Sequence, residues 1–271
     1  MSIGVLNNIS SLIAENAVSN TQAQLQSTLQ QLSTGLKINS GSEDAAGLSI
    51  ADGLGANIAA LTQSSQNSSD GIGLLQTADG ALSQVNTELN RATTLATEAS
   101  NGGLSTAQSS ALDGEYQSIL AEITQIGATT NFNGTAVFGT TATTFTSDGT
   151  ATGATTTTTA IAALTPAALA LTSDLLTPAT AQASLTAITA AISTIAANRG
   201  AIGASVNQLT ADTNVENTEV QNLTSAQNNV QNADIATTTS NLTQFNILEQ
   251  TGFDALSQSS QAQQNVLKLI Q

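Results

Sequence analysis

Apolar residues recur every three or four positions through most of this 271-residue chain. A chain that keeps such an alternation has to lay helices side by side, because each helix then carries one narrow apolar stripe. Between residues 18 and 36 the stripe reads Val18, Leu25, Leu29, Leu32 and Leu36, with Gln22 at the intervening step, and Leu6, Ile9 and Ile13 extend it upstream. A second run passes through Leu75, Ala78, Leu82, Val85, Leu89, Ala92, Ala96 and Ala99 before Asn101-Gly102-Gly103 supplies a stop. Ser105 with Gln108 forms a capping box that restarts a helix carrying Leu112, Tyr116, Ile119, Ile123 and Ile126, which is expected to end at Gly127. So short a link makes these two helices antiparallel neighbours.

The longest run begins where Thr177 caps a helix opened by Pro178. It holds its spacing from Ile188 through Ile192, Ile195, Arg199, Ile202, Val206, Leu209, Thr213, Glu216, Val220, Leu223 and Gln227 to Val230. This is about 63 Å of helix. Gly200 and Gly203 interrupt it at about 1 kcal/mol each relative to Ala, which predicts close packing or a contact there. A last run steps through Ile235, Thr238, Leu242, Phe245, Glu249, Gly252, Leu256, Ser259, Gln263, Val266 and Ile270. Leu248, Phe253, Leu267 and Leu269 fall off that seam, so the terminal helix is apolar on more than one face and needs more than one partner.

The middle differs. From Thr135 to Ala160, 13 of 26 residues are Thr, a β-branched residue that suits strands. Asn133-Gly134 and Asp148-Gly149 are hairpin turn signals. One or two hairpins are expected, followed by short helical or irregular structure around Leu164 to Leu176; a Thr-rich linker is the alternative. The predicted fold is mainly α. The N- and C-terminal helices pair antiparallel in an elongated coiled-coil or helical-bundle rod, with a small Thr-rich β-hairpin region mid-chain. A two-helix pair buries little by itself, so the ends are expected to order when copies of the chain cover their remaining faces.

Composition excludes most chemistry. The chain has no His, Cys or Trp, which removes zinc fingers, His-based triads and thiol nucleophiles. Four basic residues against 19 acidic ones leave a net charge of −15, too few cations to hold nucleic-acid phosphates. No cofactor, metal or catalytic residue is expected. Glu43-Asp44 and the pair Asp212 and Glu216 are the closest approach to acidic clusters, and Glu43-Asp44 is read instead as favourable charge at a helix start. Five Asn-x-Ser/Thr sequons fit chance in so Asn-, Ser- and Thr-rich a chain; O-linked sugars on the Thr run are the better candidate modification. No run of 18 uninterrupted apolar residues occurs, so no membrane insertion is expected. The first basic residue is Lys37, so no cleavable signal is expected either.

Several long motifs give the chain a specific resemblance. Leu32-Ser33-Thr34-Gly35-Leu36-Lys37-Ile38-Asn39-Ser40, then Asp44-Ala45-Ala46-Gly47-Leu48-Ser49-Ile50, are similar to bacterial flagellin. So are Asn67-Ser68-Ser69-Asp70-Gly71-Ile72, Gln76-Thr77-Ala78-Asp79-Gly80-Ala81-Leu82, Asn198-Arg199-Gly200-Ala201-Ile202-Gly203-Ala204 and the tail Gln264-Asn265-Val266-Leu267-Lys268-Leu269-Ile270. The resemblance spans about residues 1–134 and 180–271, with Lys37 standing where the family usually has Arg and Gln263 where Pro is common.

The resemblance implies a short flagellin with a reduced variable region. Residues 1–42 and 232–271 would form an inner-tube coiled coil, with contacts through Leu25, Leu29, Leu32, Leu36, Leu242, Phe245, Leu256, Val266 and Ile270. Residues 43–134 and 178–231 would form an outer helical rod, and 135–177 a short variable region with β-hairpins, part of the rod or appended to it. The implied function is a structural subunit of the extracellular flagellar filament, exported by the flagellar type III route. Its partners would be further copies of itself, the hook–filament junction protein, the filament cap and an export chaperone. Arg91, Leu95 and Glu115 match positions through which an innate immune receptor senses flagellins, with intersubunit contact as the plainer reading. Arg199, a charge on a seam, is expected to meet an acidic group. The rivals are the junction protein itself, which has similar ends, and a non-flagellar coiled-coil binding module.

Overall fold

The computed structural model describes residues 9–147 and 154–270, with the side chains of 154, 266, 267, 269 and 270 left aside. Five helices and four strands follow in order: α1 (Ile9–Thr34), α2 (Ala45–Ala99), α3 (Thr106–Thr129), β1 (Asn131–Phe132), β2 (Thr135–Ala136), β3 (Thr140–Ser147), β4 (Ala154–Ile161), α4 (Pro178–Gln231) and α5 (Ile235–Ile270). The chain is mainly α with two antiparallel hairpins, β1 with β2 and β3 with β4. It forms two compact units, residues 1–56 with 223–271, and residues 57–222.

In the first unit α1 and α5 pack on one another. They run antiparallel: Leu36 bridges Asn232, Gln22 donates to Glu249 at 3.1 Å, and Val18 lies against Gly252. A Cβ at Gly252 would come within 2.6 Å of Val18, so the missing side chain permits this approach. The helix ends follow from local chemistry. Gly35, at φ +74°, turns the chain out of α1 in the left-handed region, and the Lys37 N–H then donates to the Gln231 carbonyl at 2.7 Å. Asp44 accepts from the Gly47 N–H at 2.8 Å and opens α2. Asp234 accepts from the Thr237 hydroxyl at 2.7 Å and from the N–H groups of Thr237 and Ala236, and opens α5; the hydroxyl bond first and the N–H bonds after it hold its carboxyl below the usual range.

The second unit holds a continuous apolar core. Leu75, Ala78, Leu82, Val85, Leu89, Ala92, Ala96 and Ala99 of α2 are all buried, together with Tyr116, Ile119 and Ile123 of α3 and Ile188, Ile195, Ile202 and Leu209 of α4. The capping box at Ser105 and the Thr177 cap on Thr180 are in place. Asn133 (φ 51°) and Gly134 (φ 79°) make the tight turn between β1 and β2. The Asp148-Gly149 turn lies outside the described residues.

Two expectations need correction, at Gly127 and at the pair Gly200 and Gly203. Gly127 does not end α3, which runs on to Thr129. Its role is proximity, since a Cβ there would sit 2.7 Å from the Leu164 carbonyl oxygen. Gly200 and Gly203 were expected at close contacts, yet nothing lies within 4 Å of a Cβ built at either. Residues 162–177 form no regular element, but Leu164, Leu169, Leu171 and Leu175 are buried in the core, and Asp113 accepts from the Leu175 N–H at 2.9 Å. One stretch of α4 is also long and apolar enough to cross a membrane by length and composition, which a count of uninterrupted apolar residues misses because Ser and Thr punctuate it.

Candidate functional site

The residues that carry the most chemistry lie along the helix faces. On α5 the half-buried or buried side chains from Thr238 onward are Thr238, Leu242, Phe245, Glu249, Gly252, Leu256, Ser259 and Gln263, in steps of four and three. Leu242, Phe245 and Leu256 are therefore half covered by their own chain. Val266 and Ile270 lie outside the described side chains. On α1, Leu25, Leu32 and Leu36 are half-buried, but Leu29 is exposed and Thr28 takes the inward position, donating its hydroxyl to the Gln24 carbonyl. Much of the unit's apolar surface stays uncovered: Ile9, Leu12, Ile13, Ile235, Ile247, Leu248 and Phe253 are each about half exposed or more. Apolar surface of this extent on two packed helices is a feature of interaction surfaces.

In the second unit the two arginines are already occupied. The Arg91 Nε donates to Glu115 Oε1 at 2.8 Å across the α2–α3 turn, with both side chains on the surface. Leu95 does not join them. At 1 % exposure it belongs to the same buried cluster as Ile119 and Ile123 of α3, so it offers no surface to a partner. Arg199 meets Asp79 through two bonds, Nε to Oδ1 at 2.7 Å and Nη2 to Oδ2 at 3.2 Å. The fork of bonds from Arg199 holds the Asp79 carboxyl below its usual range and raises the guanidinium's own pKa.

Sequence reasoning missed the partner of Glu216. This α4 carboxylate is 6 % exposed and accepts a hydrogen bond from the Ser64 hydroxyl of α2. The same hydroxyl accepts from the Ser147 N–H of β3 at 2.8 Å, so one Ser ties both helices to the hairpin. Burial raises the Glu216 pKa, the Ser64 bond opposes that rise, and the neighbouring Asp212 and Glu219 add to it. Glu216 sits in step with the α4 seam and Ser64 in step with α2; the bonds Ser64–Glu216 and Asp79–Arg199 run in opposite chain order, and that antiparallel arrangement of α2 and α4 brings them together. Among the described residues no three acidic, His or Cys side chains gather in a metal-like cluster.

These features define a helical protein that acts through its faces. Comparison with known proteins identifies the family. The model for the bacterial flagellin N-terminal helical region matches residues 5–143, and that for the bacterial flagellin C-terminal helical region matches residues 185–270. A flagellin of Halalkalibacterium halodurans is 33 % identical over 250 residues, which cover 91 % of this chain and 92 % of that protein. Flagellin 1 of Proteus mirabilis is 40 % identical over 130 residues and the flagellin of Serratia marcescens 42 % over 127; in each the matched part is 36 % of the relative's length. The crystal structure of Bacillus cereus flagellin aligns with 55 % of this chain and 88 % of its own, at 32 % identity and a TM-score of 0.49. The chain belongs to the bacterial flagellin family.

Proposed function

We infer that this chain is a structural subunit that self-assembles into the extracellular flagellar filament used for swimming. Family membership carries the class. The observation that carries the mechanism is the apolar surface left open on the paired α1 and α5 helices, at Ile9, Leu12, Ile13, Ile247, Leu248 and Phe253. Copies of the same unit would cover it, and burial of that surface would offset the entropy of ordering the terminal helices. On this reading residues 1–42 and 232–271 line the inner tube, with Leu25, Leu29, Leu32, Leu36, Leu242, Phe245 and Leu256 at or near its contacts, and 43–134 with 178–231 form the outer rod. The 135–177 segment is the short variable region in this reading, anchored to the rod by the buried Leu164, Leu169, Leu171 and Leu175.

The family also supports the finer expectations of type III export without a cleaved signal, and of a junction protein, a cap and an export chaperone as partners. Arg91 and Glu115 serve as subunit contacts in this reading; their mutual ion pair leaves the guanidinium with a partner before any receptor arrives.

Purified monomer compared with its polymer by negative-stain microscopy and limited proteolysis tests the proposal. Long filaments of uniform width, with both ends cut in the monomer and protected in the polymer, are expected. A chain that never polymerises and keeps its ends protected would overturn it in favour of the hook–filament junction protein or a binding module.

A further inference from the structure

Asn-Gly occurs twice in the chain, at Asn101-Gly102 and at Asn133-Gly134, and the fold holds the two pairs differently. In such a pair the backbone nitrogen of the glycine can attack the carbonyl carbon of the asparagine side chain, because glycine has no Cβ to block the approach. The two atoms meet only when the asparagine backbone rotates into a suitable geometry, so the rate follows how freely that geometry is reached. Both pairs are exposed. Their backbones set them apart.

Asn133 is fixed at φ 51° in the two-residue turn between β1 and β2. The pairs Asn131–Ala136 and Phe132–Thr135 flank it, and the N–H of the buried Val137 donates to the Thr130 carbonyl at 3.2 Å. The Phe132 ring lies against α2, 3.3 Å from a Cβ built at Gly73. Swinging the Gly134 nitrogen onto the Asn133 side chain means opening this anchored turn. Asn101 stands instead in the link between α2 and α3. Its N–H closes the end of α2 on the Glu98 carbonyl at 3.1 Å, and no helix or strand resumes before Thr106. Its Oδ1 accepts from the Gly103 N–H at 3.3 Å. That side-chain turn encloses the Gly102 nitrogen and draws electron density from Cγ. Among the described residues the Gly102 N–H donates to no backbone carbonyl, and nothing lies within 4 Å of a Cβ built at Gly102. The nucleophile is unengaged, the electrophile beside it is polarised, and no packing resists their approach.

We propose that Asn101 is a site of spontaneous deamidation, with water as the co-reactant, and that the β1–β2 hairpin protects Asn133 from the same reaction. The Gly102 nitrogen forms a bond to Asn101 Cγ and gives up its proton to water. The Cγ–Nδ2 bond breaks, and Nδ2 leaves with a further proton as ammonia, which leaves a five-membered imide. Water then adds to one imide carbonyl and breaks its bond to the Gly102 nitrogen, which takes back a proton. Opening at Cγ gives an aspartate at this position; opening at the main-chain carbonyl gives an isoaspartate, with the chain routed through the side-chain carbon. Nothing is oxidised or reduced: an amide and water become a carboxylic acid and ammonia. The new negative charge lies just past the last turn of α2, where the helix dipole disfavours it and Glu98 already stands exposed.

The test is incubation of the purified chain in mildly alkaline buffer, folded and in urea, with circular dichroism to follow the fold. Peptides holding Asn101 and Asn133 are then compared by mass for conversion of amide to acid. In the folded chain Asn101 is expected to convert at least about tenfold faster than Asn133. In urea, where the hairpin is gone, the two rates are expected to come within about twofold of each other. Gly102 has no left-handed φ and open space around it, so alanine fits there. Gly102→Ala is expected to slow conversion of Asn101 at least about tenfold, because its Cβ hinders the attack, and to leave Asn133 unchanged. Equal rates in the folded chain overturn the proposal. So does an Asn101 that stays intact in the folded chain once the chain in urea has converted. A difference that persists in urea overturns the assignment to the fold and traces it to neighbouring residues. Conversion of Asn101 that Gly102→Ala leaves unchanged overturns the imide route.

Discussion

Glu216 shows what one buried carboxylate does inside a seam otherwise built from Ile, Val and Leu. Its folded pKa is raised, above all by burial. A raised pKa means the folded state holds the proton more tightly than the unfolded chain, so the associated stability is present below the ordinary carboxyl range and is lost as pH rises through the folded value. Glu216→Gln, which keeps the shape and can still accept from Ser64, is expected to stabilise the monomer by about 1 kcal/mol at neutral pH and to change little in acid. Urea unfolding at pH 4 and pH 8 would check this; equal effects at the two pH values would contradict it. Asp79 behaves in the opposite sense. Its lowered pKa gives stability that is present above the ordinary carboxyl range and lost as pH falls through the folded value. Because solvent reaches both partners of the Asp79–Arg199 pair, Arg199→Ala is expected to destabilise by only about 1 kcal/mol or less, measured by thermal unfolding at pH 7. A loss several times larger would show that the pair acts as a buried one.

At the scale of elements, the helices are built from residues with modest intrinsic propensity. Ser and Thr side chains compete with the backbone in a helix interior, but here many of them donate back to the carbonyl four residues earlier, as Thr77, Thr124 and Thr213 do. Stability then rests on seam packing, and packing at the glycines differs from site to site. Gly127 lies under Leu164, where the nearest atom is backbone and cannot step aside. Gly127→Ala is expected to cost about 2 kcal/mol and to loosen the 162–177 segment, seen as earlier proteolysis there and a lower urea midpoint. Gly252→Ala meets Val18, a side chain of the facing helix, so its cost falls on the α1–α5 pair and is expected to show as loss of helical signal without a shift in the 57–222 unfolding step.

For the whole molecule, Gly200 and Gly203 set monomer and polymer in opposition. With open space around both, alanine at each is expected to stabilise the isolated chain by about 1 kcal/mol through helix propensity. If neighbours in the filament approach this face as the proposed function requires, the added methyls raise the critical concentration for polymerisation. Differential scanning calorimetry of the monomer and seeded elongation of the double variant give the two readings. A more stable monomer that elongates as well as the parent would place this face away from the subunit contacts.

How much could be read in advance follows from the kind of interaction involved. Heptad spacing alone determined which residues of α2, α3, α4 and α5 turn inward, because a stripe at a 3.5-residue repeat has a single burying face on any helix. Capping at Ser105 and Thr177 and the turn at Asn133-Gly134 were legible for the same reason, since they depend on residues a few positions apart. Spacing said nothing of partners distant in the chain. That Arg199 finds Asp79, that Glu216 finds Ser64, and that Leu95 is core depend on which helices lie together and in what register. Only the tertiary structure decided that Gly127 is a point of contact while Gly200 and Gly203 are open, because the cost of a missing side chain is set by the atom that would have met it.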